Sequence, residues 1–119
     1  MADFIKLTED DDSITVLFDI ENESVMALGE RLAEICEDAY MNGYNWDALL
    51  TCYLQKHAPS LLEDLETDPE AGLYAAYYEA SDENRLRAQA LTDLIAELIS
   101  DGDELCEFVS EYAEEIEWD

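Results

Sequence analysis

The first twenty residues alternate between apolar and polar positions, which is the period of β-strands. This alternation predicts one strand over residues 3–8 and a second over residues 13–20. On the second strand, one face would carry four apolar side chains, namely Ile14, Val16, Phe18 and Ile20. The strands are separated by four consecutive acids, Glu9, Asp10, Asp11 and Asp12. Such a polar segment between two alternating runs predicts a β-hairpin with an exposed anionic turn.

The apolar positions then recur at the three- and four-residue spacing of amphipathic helices. This spacing predicts a helix over residues 23–40, with Ser24 as its candidate cap, and another over residues 46–57. Between them, Gly43 suits the left-handed backbone that commonly follows a helix end. Asn45 stands where it could cap the second helix.

The rest of the pattern predicts a turn of helix over residues 60–65, a third strand over residues 73–78 and two more helices. The first of these helices extends from Ser81 or Asp82 to about Ser100, and the second covers residues 103–115. Strands that are kept apart from most helices indicate an α+β fold. We therefore expect a single domain over residues 1–119, with a small three-stranded antiparallel sheet and about four helices, mainly on one face.

The net charge of the chain indicates which kinds of partner it can bind. The 119 residues include 32 Asp and Glu but only five Lys and Arg, which gives a formal net charge of -27. Such a surface repels the phosphates of nucleic acids and anionic membranes, and it attracts basic proteins. An acidic proteome, as in halophiles, is an alternative origin of the same composition. Mutual repulsion also favours a monomer or a weak dimer.

The sequence contains no pattern typical of export or of a catalytic centre. No signal peptide or membrane span is visible, and Cys36, Cys52 and Cys106 suit free thiols in a reducing cytoplasm. The cysteines are far apart and His57 is the only histidine, so we expect no metal site. No nucleophile–base pair or phosphate-binding loop is recognisable. We predict no cofactor and no catalytic residue, although an enzyme that uses only carboxylates stays open.

Dense acidic runs and tyrosines are the candidates for partner contact, because charge steers association and aromatic side chains hold it. Helical acids such as Glu30, Glu34 and Glu37 suit a merely solvated face. The predicted contact residues are Glu9, Asp10, Asp11, Asp12, Glu63, Asp64, Glu66, Asp68, Glu70, Tyr74, Tyr78, Glu114, Glu115, Glu117 and Trp118. Tyr74 and Tyr78 belong, with Tyr77, to the predicted strand over residues 73–78, whose alternation must turn at least one of the three rings away from the others.

Several short motifs resemble those of family fifty-one of the bacterial polymorphic-toxin immunity proteins. In chain order they are Phe4-Ile5-Lys6-Leu7, Asn42-Gly43-Tyr44-Asn45-Trp46, Leu54-Gln55-Lys56-His57-Ala58-Pro59, Asp68-Pro69-Glu70-Ala71-Gly72 and Tyr74-Ala75-Ala76-Tyr77. The resemblance extends from the first strand into the helix after Ser81. The motif residues at turns and helix starts suit structural roles, whereas specificity would reside in exposed acids and aromatics.

The resemblance implies a cytoplasmic antidote that binds and blocks a toxin domain delivered by another bacterium. Many such toxins are nucleases, whose basic active sites an acidic protein could occupy. A second hypothesis is a nucleic-acid mimic of another class, of the anti-restriction or anti-CRISPR type, which would use the same acidity. A neighbouring toxin gene would favour the first hypothesis, and a phage operon the second.

Overall fold

The computed structural model describes residues 4–118 of the chain. Asp3, where the first predicted strand begins, and Asp119, which ends the acidic tail, lie outside this range. The described elements are β1 (Ile5–Glu9), β2 (Ser13–Asp19), α1 (Glu23–Ile35), α2 (Gly43–His57), β3 (Glu66–Thr67), β4 (Leu73–Glu79), α3 (Asp82–Ser100) and α4 (Gly102–Tyr112). A 3₁₀ turn, Pro59–Leu62, occupies part of the segment for which a turn of helix was predicted.

The sheet has four antiparallel strands in the order β1-β2-β4-β3, which confirms the α+β class and corrects the predicted number of strands. The fourth strand, β3, contains only Glu66 and Thr67, which pair with Tyr77 and Ala76. Two residues are too few to show an alternating pattern. β3 therefore depends on β4 for its conformation rather than on its own sequence.

One face of the sheet carries the core. β2 contributes Ile14, Val16 and Phe18 to this inner face, and β4 places Tyr78, Ala76 and Tyr74 directly opposite them. The Phe18 ring packs edge-on against Trp46 of α2, with their centroids 5.2 Å apart. Buried side chains from all four helices join the same hydrophobic cluster. The predicted placement of the helices, mainly on one face, agrees with this arrangement.

Helix boundaries differ from the predicted ones at the end of α1 and at the start of α2, which begins at Gly43 rather than Trp46. α1 ends at Ile35 rather than near Tyr40, because Cys36 is extended, with φ at -139°. The caps also lie earlier than expected. The side chain of Asn22 accepts a hydrogen bond from the Ser24 amide, and that of Asn42 accepts one from the Asn45 amide. Ser24 and Asn45 are thus partners of the caps and not the caps themselves.

Gly43 begins α2 and does not have a positive φ, so its predicted left-handed role is wrong. Gly43 instead allows the backbone of α2 to approach the backbone of residues 70–73 closely. A Cβ at this position would lie 1.7 Å from the Glu70 carbonyl oxygen and 2.4 Å from that of Leu73. The Gly43 amide also donates a 3.0 Å hydrogen bond to the Ala71 carbonyl. The start of α2 therefore rests directly on the turn that joins β3 to β4.

Candidate partner-binding surface

Two of the three predicted acidic runs meet at one end of the sheet. The end of the β1–β2 turn and the segment before β3 surround Tyr77 and form a shallow hollow of about 420 Å³. We call it the tyrosine hollow. It is lined by Asp12, Ser13, Asp64, Leu65, Glu66, Tyr77, Tyr78 and Glu79. Four of these residues are acids, and Tyr77 is the partly exposed aromatic residue among them.

Backbone hydrogen bonds hold the segments that line the tyrosine hollow in place. Glu66 lies opposite Tyr77 in the ladder between β3 and β4, and the Ala80 amide donates a 3.1 Å hydrogen bond to the Asp12 carbonyl. Arg87 of α3 anchors the segment before β3 through a 2.8 Å ion pair with Glu63. The acids are therefore displayed on ordered elements, which lowers the entropic cost of meeting a partner.

Tyr74 and Tyr78 were predicted to contact a partner, but both are buried, each with 1% of its surface exposed. Strand alternation and pairing with Phe18 and Ile14 turn the two rings into the core. The Tyr78 hydroxyl donates a 2.6 Å hydrogen bond to the Leu61 carbonyl. Tyr78 borders the tyrosine hollow but its ring is held in the core. We therefore replace Tyr74 and Tyr78 as candidate contact residues by Tyr77, which lies on the opposite face of the same strand.

The acids of the first turn have separate structural environments. Asp10 Oδ1 accepts hydrogen bonds from the amides of Asp12 and Ser13, at 2.9 and 2.8 Å, and these bonds lower the pKa of Asp10. Glu9 forms a 2.9 Å ion pair with Arg85 of α3. Only Asp12 of this run lines the tyrosine hollow, and Asp11 is exposed beside it. Asp10 therefore shapes the turn, and Glu9 ties it to α3.

The third predicted run, in the C-terminal tail, lies against the exposed side of α2 and encloses a cleft of about 500 Å³. We call it the tail cleft. Its lining residues are Tyr44, Asp47, Ala48, Thr51, Cys52, Gln55, Pro69, Glu115, Glu117 and Trp118. Glu115, Glu117 and Trp118 were predicted contact residues, whereas Tyr44 and Asp47 were not. The sequence pattern favours structural roles for the start of α2, and only the fold shows that Tyr44 is exposed and Asp47 half-buried beside the tail.

Three contacts hold the tail in place. Ile116 is buried, Lys56 of α2 pairs with Glu115 at 3.0 Å, and the Trp118 indole donates a 3.2 Å hydrogen bond to the Ala113 carbonyl. Glu114 is exposed outside the cleft. The tail is therefore an ordered wall and not a free acidic extension.

Asp47 is the carboxylate in the cleft with the most unusual environment. Its Oδ1 atom is shielded from solvent and has no hydrogen-bond partner among residues 4–118. Burial accordingly raises the pKa of Asp47, and hydrogen bonding by Thr67 and Thr51 offsets part of that shift. The site thus contains a carboxylate whose charge is incompletely satisfied by the protein itself.

The predicted acidic run from Glu63 to Glu70 lies between the two concavities. Its first part, through Asp64 and Glu66, borders the tyrosine hollow, while Pro69 borders the tail cleft. Asp68 and Glu70 are exposed on the connecting segment. Asp64 has a φ of 62°, a left-handed conformation that Asp tolerates better than most residues. The run from Glu63 to Glu70 therefore links the tyrosine hollow to the tail cleft, where the other two predicted runs lie.

Within the described range, no group of three or more His, Cys, Asp or Glu side chains is arranged to hold a metal ion. No helix in this range is long and apolar enough to cross a membrane. The three cysteines are free thiols. His57, the only imidazole, stacks beside Tyr53 with the ring centroids 4.5 Å apart. The contact supports a packing role at the end of α2.

Comparison with known proteins gives a match at the level of the family. No curated protein and no solved structure is significantly similar to the chain. The family model described as immunity protein 51 matches residues 5–114, which cover β1 to the end of α4 and include both the tyrosine hollow and Asp47 of the tail cleft. The chain therefore belongs to the immunity protein 51 family.

Proposed function

We propose that this protein is a cytoplasmic antidote that binds and blocks a cognate bacterial toxin domain, and that it acts by binding rather than by catalysis. The contact surface is the acidic side of the molecule centred on residues 63–70, with the tyrosine hollow and the tail cleft on either side. The single observation that carries this proposal is membership of an immunity-protein family over nearly the whole chain.

The distribution of ion pairs supports an acidic contact surface. Of the five cations, Arg31, Lys56, Arg85 and Arg87 already pair with acids of the protein itself. Lys6 forms no ion pair within residues 4–118. Most of the 32 acids are therefore left without an internal countercharge, and a basic partner would supply it.

The aromatic side chains give this surface the means to hold a partner after electrostatic encounter. Tyr44 is 43% exposed, and Tyr77 and Trp118 are partly exposed at the two concavities. Interface energy is typically concentrated in a few Tyr, Trp and Arg side chains surrounded by a polar rim. The combination of partly exposed aromatics with surrounding carboxylates suits a specific protein interface better than a merely solvated face.

A nuclease is the toxin class that this surface fits best. A nuclease needs Lys and Arg to hold phosphates, so its active site is basic before the substrate arrives. Rows of carboxylates on an ordered edge would compete for the same cations and exclude the nucleic acid. The same repulsion argues against nucleic acid or a membrane as the direct partner, and in favour of a monomer that forms a one-to-one complex.

The proposal is tested with the toxin domain encoded beside this gene. The purified chain should form a stoichiometric complex with it and should inhibit its activity. A variant carrying D64N, E66Q, D68N and E70Q should associate at least about tenfold more slowly at low salt, because these charges would steer the encounter. The matched control carries E23Q, E30Q, E34Q and E37Q, which remove the same charge from exposed positions in and after α1.

Absence of a complex with the wild-type chain would refute the antidote function. If a complex forms but both four-acid variants associate equally slowly, net charge alone steers the encounter, and our choice of surface is wrong. A complex with a restriction or CRISPR enzyme in place of the toxin would support the alternative class of mimic.

A further inference from the structure

The tail cleft contains more carboxylate than its own surroundings neutralise. Glu115 is paired with Lys56 at 3.0 Å, but Asp47 and Glu117 form no ion pair within residues 4–118. Asp47 is held on α2, close to the side chains of Thr51 and Thr67, and its Oδ1 atom is shielded and unpartnered. A shielded oxygen without a donor makes the charged form of Asp47 costly in the free protein, and a positive charge in the cleft that Asp47 lines would offset that cost.

The walls of the cleft are aromatic as well as acidic. Tyr44 stands at the start of α2, and Trp118 stands on the tail with its indole anchored to the Ala113 carbonyl. The faces of Tyr and Trp rings attract cations, most often the planar guanidinium group of arginine, which can also stack on them. A volume of about 500 Å³ admits one long side chain easily.

We propose that the tail cleft receives an arginine side chain of the partner protein, with the guanidinium group between Tyr44 and Trp118 and its N–H groups directed at Asp47 and Glu117. This inference rests on the proposed function for the identity of the partner, but the site itself can be tested without a toxin. Tyr44 and Trp118 supply the stacking faces, and the two carboxylates supply the acceptors.

Arginine fits the cleft better than lysine for a geometric reason. The acceptors come from two different elements, α2 and the tail, and a guanidinium group presents five N–H donors in a planar fork that can address both. A lysine ammonium is a compact charge that would satisfy one carboxylate and stack poorly. The polar side chains of Thr51 and Gln55 also line the cleft and can accept the remaining N–H groups.

The test uses the full-length ¹⁵N-labelled protein and N-acetyl-arginine methylamide as the probe, followed by NMR. The two tryptophan indoles provide an internal control, because Trp118 lines the cleft while Trp46 is 1% exposed in the core. We expect the Trp118 indole signal and the amides of the first two turns of α2 to shift in a saturable manner, and the Trp46 indole to remain in place. The corresponding citrulline compound, which has nearly the same shape but no charge, should cause no saturable shift.

The variant D47N should weaken arginine binding by about threefold to tenfold, the range expected when a partly shielded ion pair is lost. Its matched control is D93N, which removes an exposed aspartate from α3 that lines neither the hollow nor the cleft. Preserved indole signals for both variants would show that they are folded.

N-acetyl-lysine methylamide serves as a second comparison and should bind more weakly than the arginine compound. Equal binding of the arginine and citrulline compounds, equal binding of the arginine and lysine compounds, or equal affinity of D47N and wild type would each overturn the assignment. The outcomes also separate the two proposals. If the toxin binds but the arginine probe does not, the cleft assignment fails while the antidote function stands. If the probe binds but the toxin does not, the cleft is an arginine site and the antidote function fails.

Discussion

At the scale of single residues, the hydroxyl of Tyr78 is a buried polar group with a defined partner. It donates to the Leu61 carbonyl at 2.6 Å and so ties β4 to the 3₁₀ turn Pro59–Leu62. Burial raises the pKa of Tyr78 to about 12, so the hydroxyl keeps its proton throughout the physiological range. Tyr78 also lines the tyrosine hollow, and the 3₁₀ turn leads into the acidic segment 63–70. This hydrogen bond therefore helps to position the acids of the hollow.

Y78F should lower the free energy of unfolding by about 1–3 kcal/mol, because it leaves a shielded carbonyl without its donor. Y74F is the matched control: its ring is equally buried, but its hydroxyl bonds to no described residue. Urea denaturation of the two variants at neutral pH measures the difference. Equal stability of Y78F and Y74F would show that the bond to Leu61 contributes nothing.

These tyrosines also show the limit of inference from sequence at this scale. Strand alternation correctly predicted that the rings of Tyr74, Tyr77 and Tyr78 could not all point the same way. It did not tell which face was buried, because β4 has aromatic residues on both faces and lacks a polar face to mark the solvent side. Only the register with β2, where Phe18 meets Tyr74, decides the question.

At the scale of elements, the contact between α2 and the β3–β4 turn depends on Gly43. The carbonyls of Glu70 and Leu73 occupy the space of any Cβ at this position, and both are backbone groups that cannot rotate away. G43A should therefore destabilise the fold by about 2 kcal/mol or more, since overpacking against backbone forces the elements apart. Because Tyr44 and Pro69 lie beside this contact, we also expect the variant to widen the tail cleft.

Gly102 at the start of α4 provides the control. A Cβ there would meet Leu28 Cδ1 at 2.7 Å and Arg31 Nη1 at 3.0 Å, both at the ends of flexible side chains. Displacing the ends of these side chains costs little, and the higher helix propensity of alanine offsets that cost. The free energy of unfolding of G102A should therefore stay within about 1 kcal/mol of the wild-type value. Chemical denaturation compares the two variants, and similar stabilities would contradict the close approach at Gly43.

The elements that the sequence predicted well are those with a long repeating pattern. β2, α3 and the apolar stripe of α4 were placed within a few residues. β3 was missed because its two residues have no period, and α1 was predicted too long because the apolar spacing continues to Ala39. Ala39 is buried from a loop, so it satisfies a helical spacing without belonging to the helix.

At the scale of the whole molecule, the sequence determines how much charge the protein has, and the fold determines where that charge is concentrated. Runs separated by about fifty residues in the chain, at Asp12, Glu66 and Glu117, come to two concavities joined by the segment 63–70, through the antiparallel pairing of β2 and β4 and the return of the tail along α2. Sequence reasoning found the runs but not their proximity. Proximity is a consequence of topology, which no local pattern records.

The net charge of -27 gives salt opposite effects on folding and on binding. Raising NaCl from about 0.01 M to about 1 M shortens the screening length from about 30 Å to about 3 Å, which relieves repulsion among unpaired acids. The few internal ion pairs are mostly exposed and contribute little, so their screening costs less than this relief gains. The unfolding midpoint should rise with salt, while the rate of association with a basic toxin should fall.

Thermal unfolding and stopped-flow association at the same salt concentrations check both trends. The variant lacking four acids between Asp64 and Glu70 should show a weaker response to salt in both measurements, because it has less repulsion to relieve and less charge to steer with. A midpoint that falls with salt would mean that internal ion pairs outweigh the repulsion. A salt-independent rate would mean that the acidic side of the molecule does not guide the encounter.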